Sequence, residues 1–176
     1  MLSAVFDYVK LACCLGCTAC AVFTDSALAD LAIVEVAPGI YRGPAPESPA
    51  DYRRLRAMGI NTVLDIRKFR KRQMEQERRC VNAYGMQHRS VPVGFRPQRD
   101  GSAERALREL NSVSLHPIYI HCELGRDRVG LVIGLYRVRI EGQSLRSAYG
   151  EMKRFGFQSR FRGLDRYFWE RAKQRL

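Results

Sequence analysis

The sequence predicts an α/β fold, a central and mainly parallel sheet with helices on both faces. Three observations carry this. Up to residue 121, short apolar runs of strand length alternate with helix-length stretches. Beyond that point only helical stretches follow. At the junction, Pro117-Ile118-Tyr119-Ile120 reads as a buried strand and Leu131-Val132-Ile133-Gly134-Leu135-Tyr136 as a buried helix, with one tight loop between them.

Residues 1–29 read as a targeting segment. Lys10 precedes the apolar run Leu11 to Phe23, which is short for a membrane span and suits a signal core. Ala27-Leu28-Ala29 offers a small-residue cleavage site before Asp30. Export to the periplasm or outside the cell is the expectation; a retained or lipidated membrane anchor is the alternative, and membrane contact is expected only then. Four of the six cysteines lie here, so cleavage leaves Cys80 and Cys122, too few for a disulfide framework.

Residues 30–176 then form one domain of ordinary size. Ala32 to Val36 is a strand, and Pro38-Gly39 turns it into Ile40-Tyr41. Ser48 is an N-cap followed by Pro49 in the first turn, and Gly59 ends that helix. Ile60 to Ile66 is a central strand. Arg67 to Tyr84 follows, and its basic cluster of Arg67, Lys68, Arg70, Lys71 and Arg72 reads as a solvated helix face, with a polyanion-attracting rim as the rival. Met86 to Val93 is a further strand. Gly94 to Gly101 is a loop by composition, and Glu104 to Leu110 a short helix. Past the central helix, Gly142 ends one helix and Ser144 caps another running to about Phe155. Leu164 to Arg175 is a terminal helix whose Tyr167, Phe168 and Trp169 are expected to pack in the core.

The formal charge of +12 points to an anionic partner or a basic surface. No recognised nucleic-acid motif or aromatic interleaving accompanies it, so nucleic acid is not the expected partner. No cysteine spacing suits a metal, and neither metal nor cofactor is expected.

Chemistry concentrates in His121-Cys122-Glu123-Leu124-Gly125-Arg126-Asp127-Arg128. A loop between a strand end and a helix start gathers backbone amides and the positive helix end into an anion site. A thiol becomes a nucleophile only as a thiolate, which such a setting favours. The planar fork of Arg128 grips two phosphate oxygens at once. Gly125 permits backbone conformations closed to other residues. His121 holds the loop and tunes the cysteine.

The stretch HCELGRDR resembles the His-Cys-x-x-Gly-x-x-Arg signature of the cysteine-dependent protein tyrosine and dual-specificity phosphatases. The resemblance extends upstream through Gly39 to Pro44 and Gly59 to Arg67, and downstream through Ala148 to Met152, like the small bacterial members. It implies the tyrosine phosphatase fold and an anionic phosphorylated substrate. It implies attack on phosphorus by Cys122, with Arg128 and the amides of Glu123, Leu124, Gly125, Arg126 and Asp127 binding the phosphate oxygens. The family commonly places its general acid, an aspartate, on an upstream loop. Asp100 is the only aspartate between Asp65 and Asp127, and its other role would be to cap the Glu104 helix. Asp127, inside the loop as in some phosphoinositide-directed relatives, is the preferred candidate, with loop orientation as its alternative job. Val129 departs from the Ser or Thr usual after the arginine. That departure implies slow release of the phosphocysteine, or a phosphate-binding pseudophosphatase acting as an interaction module. Arg126 is expected beside Arg128 at the mouth. With the basic composition, this leaves phosphoproteins and inositol phosphates or phosphoinositides both open as substrates.

Overall fold

The structure, a computed structural model, describes residues 31–174. The targeting segment expected over 1–29 lies outside the described residues. The described residues form a five-stranded sheet and six α-helices: β1 (Val34–Ala37), β2 (Ile40–Gly43), α1 (Pro49–Ala57), β3 (Thr62–Asp65), α2 (Lys71–Ala83), β4 (Gln87–Ser90), α3 (Ser102–Leu110), β5 (Ile118–His121), α4 (Asp127–Arg139), α5 (Leu145–Arg154) and α6 (Arg162–Arg171). The sheet order is β1-β2-β5-β3-β4. Only β1 and β2 pair antiparallel; β2, β3 and β4 run with β5. The strand that leads into the loop is therefore the middle of the sheet, as a parallel α/β arrangement requires of a strand buried on both faces.

Strand alternation divides the core in two. Ile118, Ile120 and Leu64 join a large apolar cluster with α3, α4, α5 and α6. Tyr119 and Val63 point the other way, into a smaller cluster with Tyr52, Leu55 and Val81 of α1 and α2. Helix α4 is buried without a break from Val129 to Leu135, because it lies between the sheet and its helical neighbours.

Local chemistry sets the boundaries as read. The Ser48 side chain accepts from the Asp51 amide, and the Asp51 side chain accepts from the Ser48 amide, closing a capping box at α1. At α5 the Ser144 side chain accepts the Ser147 amide, a cap without the reciprocal bond. Other details differ. The basic cluster is not one helix face: Arg67 is 6% exposed and lies before α2. The Asp65 carboxylate accepts the Arg67 amide at 2.8 Å and its guanidinium as well, which holds a turn where a helix would otherwise begin. Only Lys71 and Arg72 fall on the helix. In the terminal helix Tyr167 and Phe168 are buried, but Trp169 is 44% exposed and rests against Tyr149.

Candidate active site

Four parallel strands end on one side of the sheet, and the loop after β5 rests on the end of β2. Gly125 is its tightest point, with φ of 65°. A Cβ there would lie 2.3 Å from the Gly43 carbonyl, so only glycine lets the loop rest on the end of β2.

The loop carbonyls are held from the protein side. The Cys122 carbonyl meets His121 Nδ1 at 3.2 Å, and the Glu123 carbonyl accepts the Ala45 amide at 3.1 Å. The Gly125 carbonyl accepts Arg42 Nη2 at 2.6 Å, with the Arg126 carbonyl 3.5 Å from the same nitrogen. In a trans peptide the carbonyl and the next N–H point in opposite directions. The amides of Glu123, Leu124, Arg126 and Asp127 are therefore turned away from the protein, and none donates to a protein acceptor among the described residues. The loop is a row of outward donors at the start of α4, suited to an oxyanion.

Cys122 lies at the base of this loop, 3% exposed. Two buried cations flank it. Arg42 on β2 is 2% exposed, with its guanidinium 4.3 Å from the Phe155 ring centre. Burial lowers its pKa, while Cys122 and Glu151 pull the other way; at about 10 it remains charged at neutral pH. The second cation is His121, fully buried, with an acceptor at each ring nitrogen: Glu77 at 2.9 Å on Nε2 and the Cys122 carbonyl on Nδ1. A ring that donates to both must carry both protons. Burial opposes that charge, but the Glu77 carboxylate outweighs it and raises the His121 pKa.

Glu77 is the hub of a buried network. Its other oxygen takes Arg67 Nη2 at 2.6 Å, and His88 stands 3.3 Å away. Burial pushes its pKa up, but His121, His88 and Arg67 together bring it down to about 2. Asp65, Glu77 and His88 offer oxygen and nitrogen atoms within 4.8 Å of one another. They do not suit a metal, because the Arg67 guanidinium already bonds both carboxylates.

The mouth is a cavity of about 220 Å³ lined by Lys68, Phe69, Arg70, Phe95, Glu123 and Arg128 among others. The Arg128 guanidinium stands 5.3 Å from the Phe95 ring centre. Glu123 is exposed on the rim, 3.5 Å from Arg70, and Leu124 is exposed beside it. Arg126 does not join Arg128 at the mouth. Its side chain lies against Gly156, where even a Cβ would come within 2.9 Å of it. The segment after α5 packs here, and Asp127 fixes it by accepting the Gln158 amide at 2.8 Å. Asp100 is bound at both oxygens, by the Ser102 amide and by Lys68. Burial raises its pKa, but these donors prevail and lower it. It holds the first amide of α3 from one position ahead of the N-cap residue, Gly101.

Sequence reasoning missed Arg42, Glu77, Arg67 and Asp65. Arg42 left one trace, a charge inside the apolar stretch Ile40-Tyr41-Arg42-Gly43. Glu77 left none, since its neighbours in α2 are nearly all polar.

The Tyrosine phosphatase family model matches residues 28–175. The dual specificity protein phosphatase TpbA of Pseudomonas aeruginosa is 25% identical over 126 residues, covering 71% of this chain and 55% of that protein. The chain thus spans about half the length of this curated relative. Among solved structures, P. aeruginosa TpbA superposes with a TM-score of 0.67 at 22% identity, covering 80% of this chain and 84% of that one. A cysteine-to-serine variant of TpbA in complex with phosphotyrosine has a TM-score of 0.65 at 22% identity, over 77% and 82%. The core catalytic domain of the PP-IP phosphatase SIW14 from S. cerevisiae, in complex with citrate, has a TM-score of 0.63 at 19% identity, over 80% and 85%.

Proposed function

The chain belongs to the tyrosine phosphatase family, and on that premise we propose that it hydrolyses phosphate monoesters through a phosphocysteine intermediate on Cys122. The observation that carries this reading is the loop whose carbonyls are bound from behind, leaving four amides facing outward above a cysteine flanked by two buried cations. The Cys122 thiolate attacks phosphorus in line. The P–O bond to the leaving group breaks as the S–P bond forms. Arg128 and the loop amides bind the equatorial oxygens while charge spreads over them. Water then attacks phosphorus, the S–P bond breaks, and phosphate departs. Substrates are phosphotyrosine, phosphoserine or phosphothreonine proteins, or inositol phosphates. The likeness to TpbA, solved with phosphotyrosine, and to a PP-IP phosphatase supports both.

Asp127 is assigned as the acid that protonates the leaving oxygen. One of its oxygens accepts the Gln158 amide and the other accepts from no protein donor among the described residues, whereas both oxygens of Asp100 are taken. Asp127→Asn should slow an alkyl phosphate about 10²-fold while slowing a nitrophenyl ester much less. Asp100→Asn should not discriminate between them. Equal effects of Asp127→Asn on both esters would remove the assignment.

One observation favours the pseudophosphatase as a second reading: Val129 is fully buried, so no hydroxyl stands after Arg128 to help the thiolate leave. The experiment is rapid quench of the full chain with a labelled aryl phosphate. The expected result is a burst of about one equivalent of alcohol with label on Cys122, then slow turnover. Val129→Ser should raise the steady rate by up to about 10²-fold. Turnover without label on Cys122 overturns the covalent route. Phosphate binding with neither burst nor turnover supports the binder.

A further inference from the structure

On the far side of the wall that Phe95 makes for the mouth lies a second cavity, of about 290 Å³, lined by Arg96, Arg99, Arg162 and Arg166 with Gln98 and Gly163. Three features set it apart.

The first is its uncompensated charge. None of the four guanidiniums has a carboxylate within ion-pair distance among the described residues. Other arginine-lined cavities carry a carboxylate in their own wall: Glu104 beside Arg108, Arg139 and Arg171, Glu109 beside Arg105 and Arg108, and Glu123 beside Arg70 and Arg128. Even at the catalytic mouth Lys68 is paired with Asp100, and Arg70 faces Glu123. Four like charges around one hollow repel one another until an anion enters.

The second is how they are brought together. Residues 95 and 96 lie directly on the start of α6, where a Cβ on Gly163 would fall 2.1 Å from the Phe95 carbonyl. That contact sets Arg96 and Arg99 against Arg162 and Arg166, and adds the positive end of a ten-residue helix to the same hollow. The acid in the first turn of α6, Asp165, is engaged by the Tyr149 hydroxyl.

The third is continuity with the catalytic loop. The Phe95 ring that faces Arg128 also packs on Phe161, at 4.7 Å between ring centres, and Phe161 is the residue from which α6 starts. The volume is at the small end for a ligand pocket and fits one anionic group better than a whole ligand.

We infer that this arginine-lined cavity is a second anion subsite, which seats a further phosphate of a substrate whose first phosphate lies over Cys122. The inference rests on the phosphatase reading of the loop and names its substrate class: molecules carrying more than one phosphate. Two sources share that chemistry, an inositol polyphosphate and a doubly phosphorylated peptide.

The test uses the full chain carrying Arg96→Gln with Arg166→Gln, both on exposed side chains outside the catalytic loop. A control carries Arg53→Gln with Arg56→Gln, exposed on α1, and removes the same charge elsewhere. The expected result is a rise of at least about tenfold in KM for multiply phosphorylated substrates, with para-nitrophenyl phosphate hydrolysis and the control unchanged within about twofold. Comparison of inositol polyphosphates with singly and doubly phosphorylated peptides identifies the source; discrimination in either arm supports the subsite. A binding measurement keeps the two readings apart. Inositol hexakisphosphate is titrated into the Cys122→Ser chain with and without the paired arginine substitutions. Arginine-dependent affinity, together with no hydrolysis of any of these phosphates by the parent chain, would leave the subsite standing and remove the phosphatase reading. Equal losses from the test and control pairs, or no loss of affinity from the test pair, would overturn the subsite.

Discussion

Cys122→Ser abolishes turnover of an aryl phosphate, by at least about 10³-fold, while leaving the affinity for inorganic phosphate close to that of the parent chain. The split follows from which atoms do which work. Phosphate is held by Arg128 and by amides whose directions are fixed through the Cys122, Glu123, Gly125 and Arg126 carbonyls. None of those bonds uses the sulfur. Serine is slightly smaller, and the site is 3% exposed, so packing changes little. The nucleophile, by contrast, changes class. Sulfur is the stronger nucleophile toward phosphorus and the better leaving group from it, and a serine hydroxyl in the same place supplies neither property. Steady-state kinetics beside phosphate calorimetry read the two effects separately. A serine variant that kept a tenth of the parent rate would remove the thiolate from the mechanism.

Glu77→Gln should cost about 3–5 kcal/mol of stability. The carboxylate lies between His121, His88 and Arg67, and an amide removes the counter-charge of the buried His121 while Arg67 keeps only Asp65. The pH dependence has a definite sign on each side. Glu77 is depressed from 4.5 to about 2 by its cationic neighbours acting against burial, so its contribution is full above 4.5 and is lost as pH falls toward 2. His121 is raised above 6.5, so its contribution is full below 6.5 and is lost as pH rises through the folded-state value. The pair stabilises most between those two ordinary values, and the variant should lose that plateau. Urea unfolding at several pH values tests this. Stability within about 1 kcal/mol of the parent, with the same pH dependence, would show that Glu77 is an ordinary buried acid.

What could be read from the residues alone was whatever depends on near neighbours in the chain. The strand before the loop, the helix after it, the Ser48 cap and the left-handed turn at Gly125 all follow from local spacing. The placing of Asp100 at the start of α3 was also legible, since its bond needs only Ser102 two positions on, although the N-cap residue is Gly101. Arg126 was misplaced because its direction is set by the segment at Gly156 and Gln158, which packs there only after α4 and α5 meet. Arg67 was misread for a related reason. A run of basic residues looks solvated until a carboxylate ten positions on, on the buried face of α2, is known to face it. Arg42 and Glu77 were beyond reach because their partners lie 83 and 44 residues away.

That separation has a bearing on how the protein comes to be reactive at all. The guanidinium clamped to the Gly125 carbonyl comes from the first parallel strand, and the carboxylate behind His121 from the second helix. Until both have docked against the middle strand, nothing holds the loop carbonyls from behind, and the amides above Cys122 have no common direction. The anion cradle is thus assembled only in the event that completes the sheet.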